Sequence, residues 1–239
     1  MRSKLLSAAA PLLAWGLLAG AALAEPDITG TWALDQPAGW KPRPGDAPLT
    51  DKAKAEGAAD AKFNADNHFI MNEAHTKCWP AGMPGLMQPP YGIHFLQTKG
   101  RVTILSEVSS LPRVIYLEDK HPDYVQPSWN GHSIGHWEGD TPVVDTIGFN
   151  GRSNRVSTKM HIREKIYLAD PEHLVAELTL DDPENYTSPY TVRYRYAKQE
   201  GEAAQLIEYA CEVLEDKLTA YNAALRKMGV TPSEPHDFD

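Results

Sequence analysis

Residues 132–138 concentrate side chains that could transfer protons or bind a metal. His132 and His136 lie four residues apart, and Glu138 follows them. On a helix this spacing places two histidines on one face, where they can bind zinc. Gly135 and the turn after Glu138 favour a strand instead, in which four residues span about 13 Å, too far for one ion. His136 and Glu138 are about 6.6 Å apart on one strand face and could chelate a metal together with a third ligand.

The direction in which this strand faces decides the role of its histidines. Alternate residues of a strand share a face, so His132, Ile134, His136 and Glu138 lie together. If Ile134 marks the inner face, both histidines point into the protein. If Trp137 marks it, they point away from the core. We favour the first alternative, which makes His132 and His136 candidate catalytic residues.

Two carboxylates, Glu164 and Asp145, alternate with apolar residues along other predicted strands. A buried carboxylate must be paired, hydrogen-bonded, or protonated with a raised pKa. Glu164 is therefore either a general acid or base, or the partner of an arginine such as Arg113 in a structural ion pair. Both alternatives remain open. In the catalytic alternative, Arg113 would stabilise developing negative charge, and Asp145 is a further inward carboxylate.

An apolar loop and a tyrosine stripe could form the wall of a ligand pocket. Residues 78–92 contain four prolines and three glycines, which exclude a helix or a central strand, yet they are too apolar for a solvated loop. The loop either plugs one end of the core or lines a pocket. The stripe is either core or a stacking surface for an aromatic ligand. The candidate ligand-binding residues are Trp79, Met83, Met87, Tyr91, Tyr190 and Tyr194.

The N-terminus predicts export. Arg2 and Lys4 precede an apolar run that ends at Ala22-Leu23-Ala24, which is typical of a signal peptide over residues 1–24. Its removal leaves 215 of 239 residues and changes the net charge from −9 to −11. We expect a periplasmic or secreted protein that is not inserted in a membrane after processing.

Cysteine usage agrees with export. In an oxidising compartment the two cysteines, Cys78 and Cys211, predict a disulfide, with two separate buried thiols as the alternative. The acidic balance argues against nucleic acid or an acidic membrane surface as partners. The sequence lacks the G-x-S-x-G elbow, the phosphate-binding loop and the dinucleotide fingerprint, so we expect no cofactor.

Strands must position most of these residues. Short turns separate about ten strand-like segments, so neighbours should pair antiparallel. A sheet of this size tends to close, which predicts a mainly β fold: a single antiparallel meander barrel or curved half-barrel, similar to lipocalins. The predicted strands are 28–34, 93–98, 101–108, 113–118, 132–138, 143–149, 159–168, 173–180, 190–197 and 204–211.

Two helices accompany the barrel in one domain, residues 25–230. Thr50-Asp51 could cap a short helix over residues 52–64. An apolar stripe at helical spacing predicts an amphipathic helix over residues 212–228, followed by a flexible tail, residues 231–239. The stripe consists of Leu214, Leu218, Tyr221, Leu225 and Met228.

Two segments resemble known families. Gly30-Thr31-Trp32 resembles the G-x-W opening of lipocalins. The stretch WNGHSIGHWEGDTPVVDTIGFN, residues 129–150, strongly resembles a widespread family of exported bacterial proteins of uncharacterised function, whose hallmark is W-x-G-x-S-x-G-x-W-E-G-D-T-L-V-V-D-T. Pro142 stands where that family usually has leucine. The resemblance covers roughly residues 78–213 and implies export and a single domain, but no activity.

Three functional hypotheses follow, and we lean towards an enzyme. The first is a cofactor-independent lyase, isomerase or hydratase that acts on a small aromatic or hydrophobic molecule, with Glu164 and His132 or His136 moving protons. The second is a lipocalin-like carrier that binds a hydrophobic ligand without catalysis. The third is a metal-dependent enzyme that uses His136 and Glu138. Each has a small-molecule partner, and a homo-oligomer is left open.

Overall fold

The computed structural model describes residues 26–43, 45–67, 77–88, 91–213 and 215–232. The expected signal peptide and most of the expected tail lie outside these residues. The described residues form nine strands, closed into a barrel in chain order, and two α-helices, which confirms the lipocalin-like β-barrel prediction. The strands are β1 Gly30–Leu34, β2 Ile93–Thr98, β3 Arg101–Ser106, β4 Ser109–Tyr116, β5 His132–Glu138, β6 Thr141–Ile147, β7 His161–Asp170, β8 His173–Asp181 and β9 Tyr190–Gln199.

One pair of neighbouring strands in the barrel is parallel. Ile115 of β4 lies opposite Ser133 of β5 in a parallel register, whereas all other neighbours run antiparallel. A closed ring with an odd number of alternating strands must contain one such pair. Residues 117–131 make it possible, because a parallel neighbour requires a long return connection. The simple antiparallel meander that the sequence suggested is therefore interrupted once.

The prediction of a tenth strand over residues 204–211 is wrong. A 3₁₀ turn at Gly201–Ala204 precedes an extended segment that lies outside the sheet. β1 already pairs with β9, where Leu34 lies opposite Tyr196, so the barrel has no free edge for another strand. Ile207, one of the alternating apolar residues of this segment, lies at the mouth of the barrel instead.

The proline-rich loop enters one end of the barrel and plugs it. Met83, Leu86 and Met87 are completely buried, and each contributes roughly 1.5–3 kcal/mol of hydrophobic stabilisation. Gly82 has a φ of 61°, and a Cβ there would lie 2.6 Å from the Trp129 carbonyl oxygen. Only glycine therefore allows this close approach to the chain before β5.

A disulfide fixes the plug to the C-terminal part of the chain. Cys78 and Cys211 are bonded to each other, as the sequence predicted. The bridge spans a sequence separation of 133 residues, for which the chain-entropy model gives about 4–5 kcal/mol. It joins the start of the plug to the extended segment, residues 205–213, that crosses the barrel mouth.

The two helices, α1 Asp51–Asn67 and α2 Glu215–Lys227, pack against each other. Thr50 caps α1 as predicted, since its Oγ1 accepts from the Ala53 N–H at 3.2 Å. The Phe63 and Tyr221 rings meet edge to face with centroids 5.4 Å apart. Leu214 of the predicted stripe lies outside the described residues. No helix in the described part of the chain is long and apolar enough to cross a membrane.

An ion pair lies inside the barrel. Arg113 on β4 and Glu164 on β7 are each 1% exposed. Arg113 Nη1 donates to Glu164 Oε2 at 2.9 Å, and Nη2 donates to Oε1. Nη2 also donates to Ser133 Oγ and Thr146 Oγ1, both at 3.1 Å. Of the two alternatives for Glu164, the structure shows the buried ion pair with Arg113.

This pair is accommodated by small residues on the inner face of β5. Ser133 and Gly135 face inward, and a Cβ on Gly135 would lie 3.1 Å from Ile115 Cγ2. The residues between and beside them must therefore face outward. The prediction that His132 and His136 point into the barrel is wrong, because the inward positions have no room for larger side chains.

We expect Glu164→Gln to lower the free energy of unfolding by about 3–5 kcal/mol, because it leaves the Arg113 charge buried without a counter-charge. Urea unfolding at pH 7 measures this change. Asp66→Asn breaks an exposed pair with Lys62 on α1 and should cost less than about 0.5 kcal/mol. If Glu164→Gln costs no more than this control, the buried pair does not hold the barrel together.

Candidate functional site

A cavity of about 790 Å³ opens at the mouth of the barrel where β8 ends and β9 begins. This volume lies within the usual range for small-molecule sites. The plug forms one wall and the start of β9 forms another. Several side chains of its lining are aromatic or apolar, among them Trp79, Met83, Tyr186, Tyr190, Tyr194 and Ile207.

The β9 wall of the cavity is built from tyrosines. Tyr190 and Tyr194 occupy inward positions of β9, and the ring of Tyr186 stacks on Tyr190 with centroids 6.0 Å apart. Burial raises the pKa of Tyr186 and of Tyr194. Both hydroxyls therefore keep their protons at neutral pH and can donate hydrogen bonds. Flat rings with polar ends suit an aromatic ligand that carries a polar group.

The plug contributes Trp79 and Met83 to the opposite wall, and Tyr91 lies at the rim with 53% of its surface exposed. The plug segment therefore fills one end of the core, as the first sequence-based alternative predicted, and it also lines the cavity. Met87 is different from the other predicted ligand-binding residues. It is fully buried beneath the cavity, where its carbonyl oxygen accepts from the Tyr196 hydroxyl at 2.6 Å.

Two arginines give the tyrosine wall a positive charge. Arg43 and Arg155 line the cavity, and both act against burial in lowering the pKa of Tyr186. Neither forms a salt bridge with another residue in the part of the chain that the structure describes. The exposed Glu208 also lines the cavity. The carboxylate of Glu107 accepts from the N–H groups of Gly92 and Ile207, each at 3.1 Å, and so holds two chain segments at the mouth.

The buried carboxylate of Asp182 fixes the loops that carry two lining residues. It accepts from the Ser157 N–H at 2.8 Å, the Ser157 hydroxyl at 2.7 Å and Asn185 Nδ2 at 2.7 Å. Burial by itself raises the pKa of Asp182, but these hydrogen bonds outweigh it, so the net pKa is lowered. The carboxylate thereby joins the loop of Arg155 to that of Tyr186.

The predicted catalytic residues do not meet at this cavity. Arg113 and Glu164 lie inside the barrel and are not part of the lining. His136 lies on the outer face, where its side chain is 59% exposed and its Nε2 is 3.3 Å from Glu138 Oε1. Across the described ranges, no group of three or more His, Cys, Asp or Glu residues has the arrangement of a metal centre. The His136–Glu138 pair therefore lacks the third ligand that the sequence analysis required.

His132 and Asp145 meet on the outer face instead. Asp145 faces outward between buried neighbours, so the prediction that it is an inward carboxylate is wrong. His121 connects the two residues: its Nδ1 lies 2.9 Å from His132 Nδ1, and its Nε2 lies 2.9 Å from Asp145 Oδ1. His161 Nε2 lies 2.6 Å from the other carboxylate oxygen.

Electrostatics distinguish the members of this outer cluster. Desolvation and the neighbouring His121 lower the pKa of His132. Burial by itself raises the pKa of Asp145, but the hydrogen bonds from His121 and His161 outweigh it, and the net pKa is lowered. At neutral pH the cluster therefore holds an ionised carboxylate beside a neutral His132.

Sequence reasoning missed His121 and His161, as well as Arg43, Arg155 and Tyr186 at the cavity. Alternate residues of β7 face opposite ways, and the sequence already placed His161 on the strand face opposite the apolar one. That position was the signal that could have identified it. His121 gave none, because it lies in the connection 117–131, and only the parallel return brings that connection beside β5 and β6.

The comparisons with known proteins give no family: no family model matches this chain, and no curated protein is significantly similar to it. The functional interpretation therefore depends on the geometry of the site, and the resemblance noted for residues 78–213 stays untested.

We expect Asp182→Asn to lower the free energy of unfolding at pH 7 by about 1–3 kcal/mol, because an amide cannot accept all the hydrogen bonds that the carboxylate accepts. The folded pKa of Asp182 is depressed, so its contribution is present above the unfolded value of about 3.9 and is lost as the pH falls through the folded pKa. Urea unfolding from pH 7 to pH 3 measures both effects.

The difference between wild type and Asp182→Asn should be constant above about pH 5 and shrink below about pH 4. Asp181→Asn is the matched control, since the neighbouring carboxylate is 41% exposed and lies 4.0 Å from Arg163. It should cost less than about 1 kcal/mol. A gap between wild type and Asp182→Asn that widens in acid would contradict the assignment.

Proposed function

We propose that the protein is an exported carrier that binds a small, largely aromatic anion at the mouth of its barrel without transforming it. The observation that supports this most directly is the cavity of about 790 Å³, which combines a tyrosine wall with two arginines that have no salt-bridge partner among the described residues. Carriers of this kind need a preformed apolar pocket and a few polar groups that orient the ligand.

The composition of the walls argues for an aromatic ligand. Tyr190, Tyr194 and Trp79 belong to the cavity lining, together with Met83. Aromatic side chains contribute large apolar areas with few rotatable bonds, and they stack on flat ligands. A methionine thioether adapts to irregular ligand shapes and makes favourable contacts with aromatic rings. A flat ring system therefore gains more from this cavity than a flexible chain does.

The arginines argue for a negative charge on that ligand. A guanidinium donates two parallel hydrogen bonds to a carboxylate, which fixes orientation as well as adding affinity. Arg43 and Arg155 line the same cavity as Tyr186, and their charges act to lower its pKa against the effect of burial, while its hydroxyl can donate a further bond. A carboxylate bound there leaves the aromatic part of the ligand beside Trp79 and the other aromatic side chains of the lining.

A carrier has stronger geometric support than the acid–base enzyme. The Glu164 carboxylate is engaged by Arg113, and His132 and His136 face away from the barrel interior. The lining formed by described residues contains no histidine, and burial raises the pKa of two of its tyrosines, Tyr186 and Tyr194, which disfavours their use as bases. The acid–base hypothesis stays a prediction, and it would need a base other than the residues named for it.

Export is the remaining part of the proposal. The Cys78–Cys211 disulfide supports it, because such bonds persist in oxidising compartments and are rare in reducing ones. The signal peptide expected over residues 1–24 is what would deliver the chain there, to the periplasm or the medium.

We expect 2-naphthoate to bind with one-to-one stoichiometry, about five- to tenfold more tightly than the neutral 2-naphthalenemethanol and more tightly still than the cationic 2-naphthalenemethylamine. The three probes share a ring system and differ in charge, so isothermal titration calorimetry isolates the contribution of the arginines. Equal affinity for all three would contradict an anion site, and no binding of any would contradict the carrier proposal.

Variants locate the charge that is responsible. Arg155→Ala should weaken 2-naphthoate about two- to fivefold, the range for an exposed charge pair, and leave 2-naphthalenemethanol unchanged. Arg101→Ala is the control, because Arg101 is an exposed arginine at the start of β3, in the turn at the opposite end of the barrel. If both variants weaken 2-naphthoate equally, the effect comes from net charge and not from the cavity.

A further inference from the structure

We propose that His121 and His132 form a binding site for one divalent transition-metal ion on the outer face of the barrel, with Asp145 as the residue that positions His121. Imidazole nitrogens suit Zn²⁺, Ni²⁺ and Cu²⁺. This site is separate from the carrier proposal, since neither histidine lines the mouth cavity.

The two Nδ1 atoms have a separation that neighbouring ligands of one ion can have. They lie 2.9 Å apart, and the rings meet at an angle of 63°. Nitrogens that each lie about 2.1 Å from a shared ion subtend about 90° at that separation. This is the angle between neighbouring ligands in octahedral or tetragonal coordination, which Ni²⁺ and Cu²⁺ favour.

Asp145 gives His121 the tautomer that a metal needs. A carboxylate only accepts hydrogen bonds, so the His121 Nε2 at 2.9 Å from Asp145 Oδ1 carries the proton. In the neutral ring the Nδ1 lone pair is then free to coordinate. This arrangement of carboxylate, histidine and metal is the usual outer shell of protein metal sites.

His161 supports Asp145 and is not itself a ligand. Its Nε2 lies 2.6 Å from Asp145 Oδ2, and its Nδ1 lies 3.2 Å from Arg163 Nη2. Both nitrogens are thus engaged, and the carboxylate is held from its two oxygens. The orientation of His121 is therefore fixed before any ion arrives.

The second ligand, His132, is held by stacking. Its ring lies nearly parallel to that of Tyr116, with centroids 5.3 Å apart and an interplanar angle of 15°. Without metal, and with the His121 proton on Nε2, the His132 Nδ1–H donates a hydrogen bond to His121 Nδ1. An ion replaces that proton, which moves to Nε2 of the same ring, so the imidazole stays neutral.

The remaining coordination positions face an open cleft. A cleft of about 510 Å³ adjoins the two histidines and is lined by Glu118, Asp119 and Lys120. Its two carboxylates favour a cation over an anion. Water or a small donor molecule can complete the coordination, so this is an open site with one protein ligand fewer than the usual three of a zinc enzyme. It differs from the His136–Glu138 pair because its histidine nitrogens already lie 2.9 Å apart.

The test is titration of the purified, metal-free protein with Ni²⁺ in a calorimeter. We expect one saturable equivalent for wild type and at least tenfold weaker binding for His121→Ala and for His132→Phe. Phenylalanine keeps a ring against Tyr116 and removes both nitrogens. His136→Ala is the control, because it removes an exposed histidine from the same face of β5. Circular dichroism and the melting temperature verify that each variant is folded.

Copper spectroscopy separates a ligand from a structural residue. With Cu²⁺, electron paramagnetic resonance should show two imidazole nitrogens in wild type and one in His132→Phe. Asp145→Asn should keep both nitrogens and bind Ni²⁺ about 10–100-fold more weakly. Absence of stoichiometric binding, or equal loss in His136→Ala, would overturn the proposal and leave the two histidines as a hydrogen-bonded pair only.

Discussion

The buried ion pair between Arg113 and Glu164 is the constraint on which the arrangement of both sites depends. Two charges inside a barrel are tolerated only if each is hydrogen-bonded to the other and to further polar groups. Ser133 and Thr146 provide those groups from β5 and β6. Because these short side chains must face inward, their neighbours His132 and Asp145 face outward. One internal charge pair thus decides what the outer wall displays.

The inside of the barrel differs from its mouth. Buried apolar side chains and the Arg113–Glu164 ion pair form the interior. At the mouth, the plug, the start of β9 and the segment that contains Cys211 line the cavity. The disulfide therefore holds two walls of the cavity at a fixed distance. The mouth cavity and the outer histidines are physically separate on this molecule, since neither His121 nor His132 is part of the cavity lining.

Much of the fold was predictable from the sequence, because turns and alternating apolar residues located all nine strands of the barrel. The disulfide followed from two cysteines in an exported chain. The facing of β5 was not predictable: Ile134 is buried on the outer face, and the inner face carries Ser133 and Gly135, so hydrophobicity pointed the wrong way. The partners His121 and Arg155 depend on long connections, whose path follows from the closed barrel and not from local spacing.

The central claim is that the mouth cavity binds the ligand, and methyl NMR of protein labelled at its methionines tests it most directly. Met83 lines the cavity, whereas Met228 follows α2 and is 50% exposed. On titration with 2-naphthoate, the Met83 methyl signal should shift to saturation, because the ring current of an aromatic ligand in the cavity acts on the side chains behind its surface, while the Met228 signal stays in place. A Met83 signal that does not move, although calorimetry shows binding, would contradict the account.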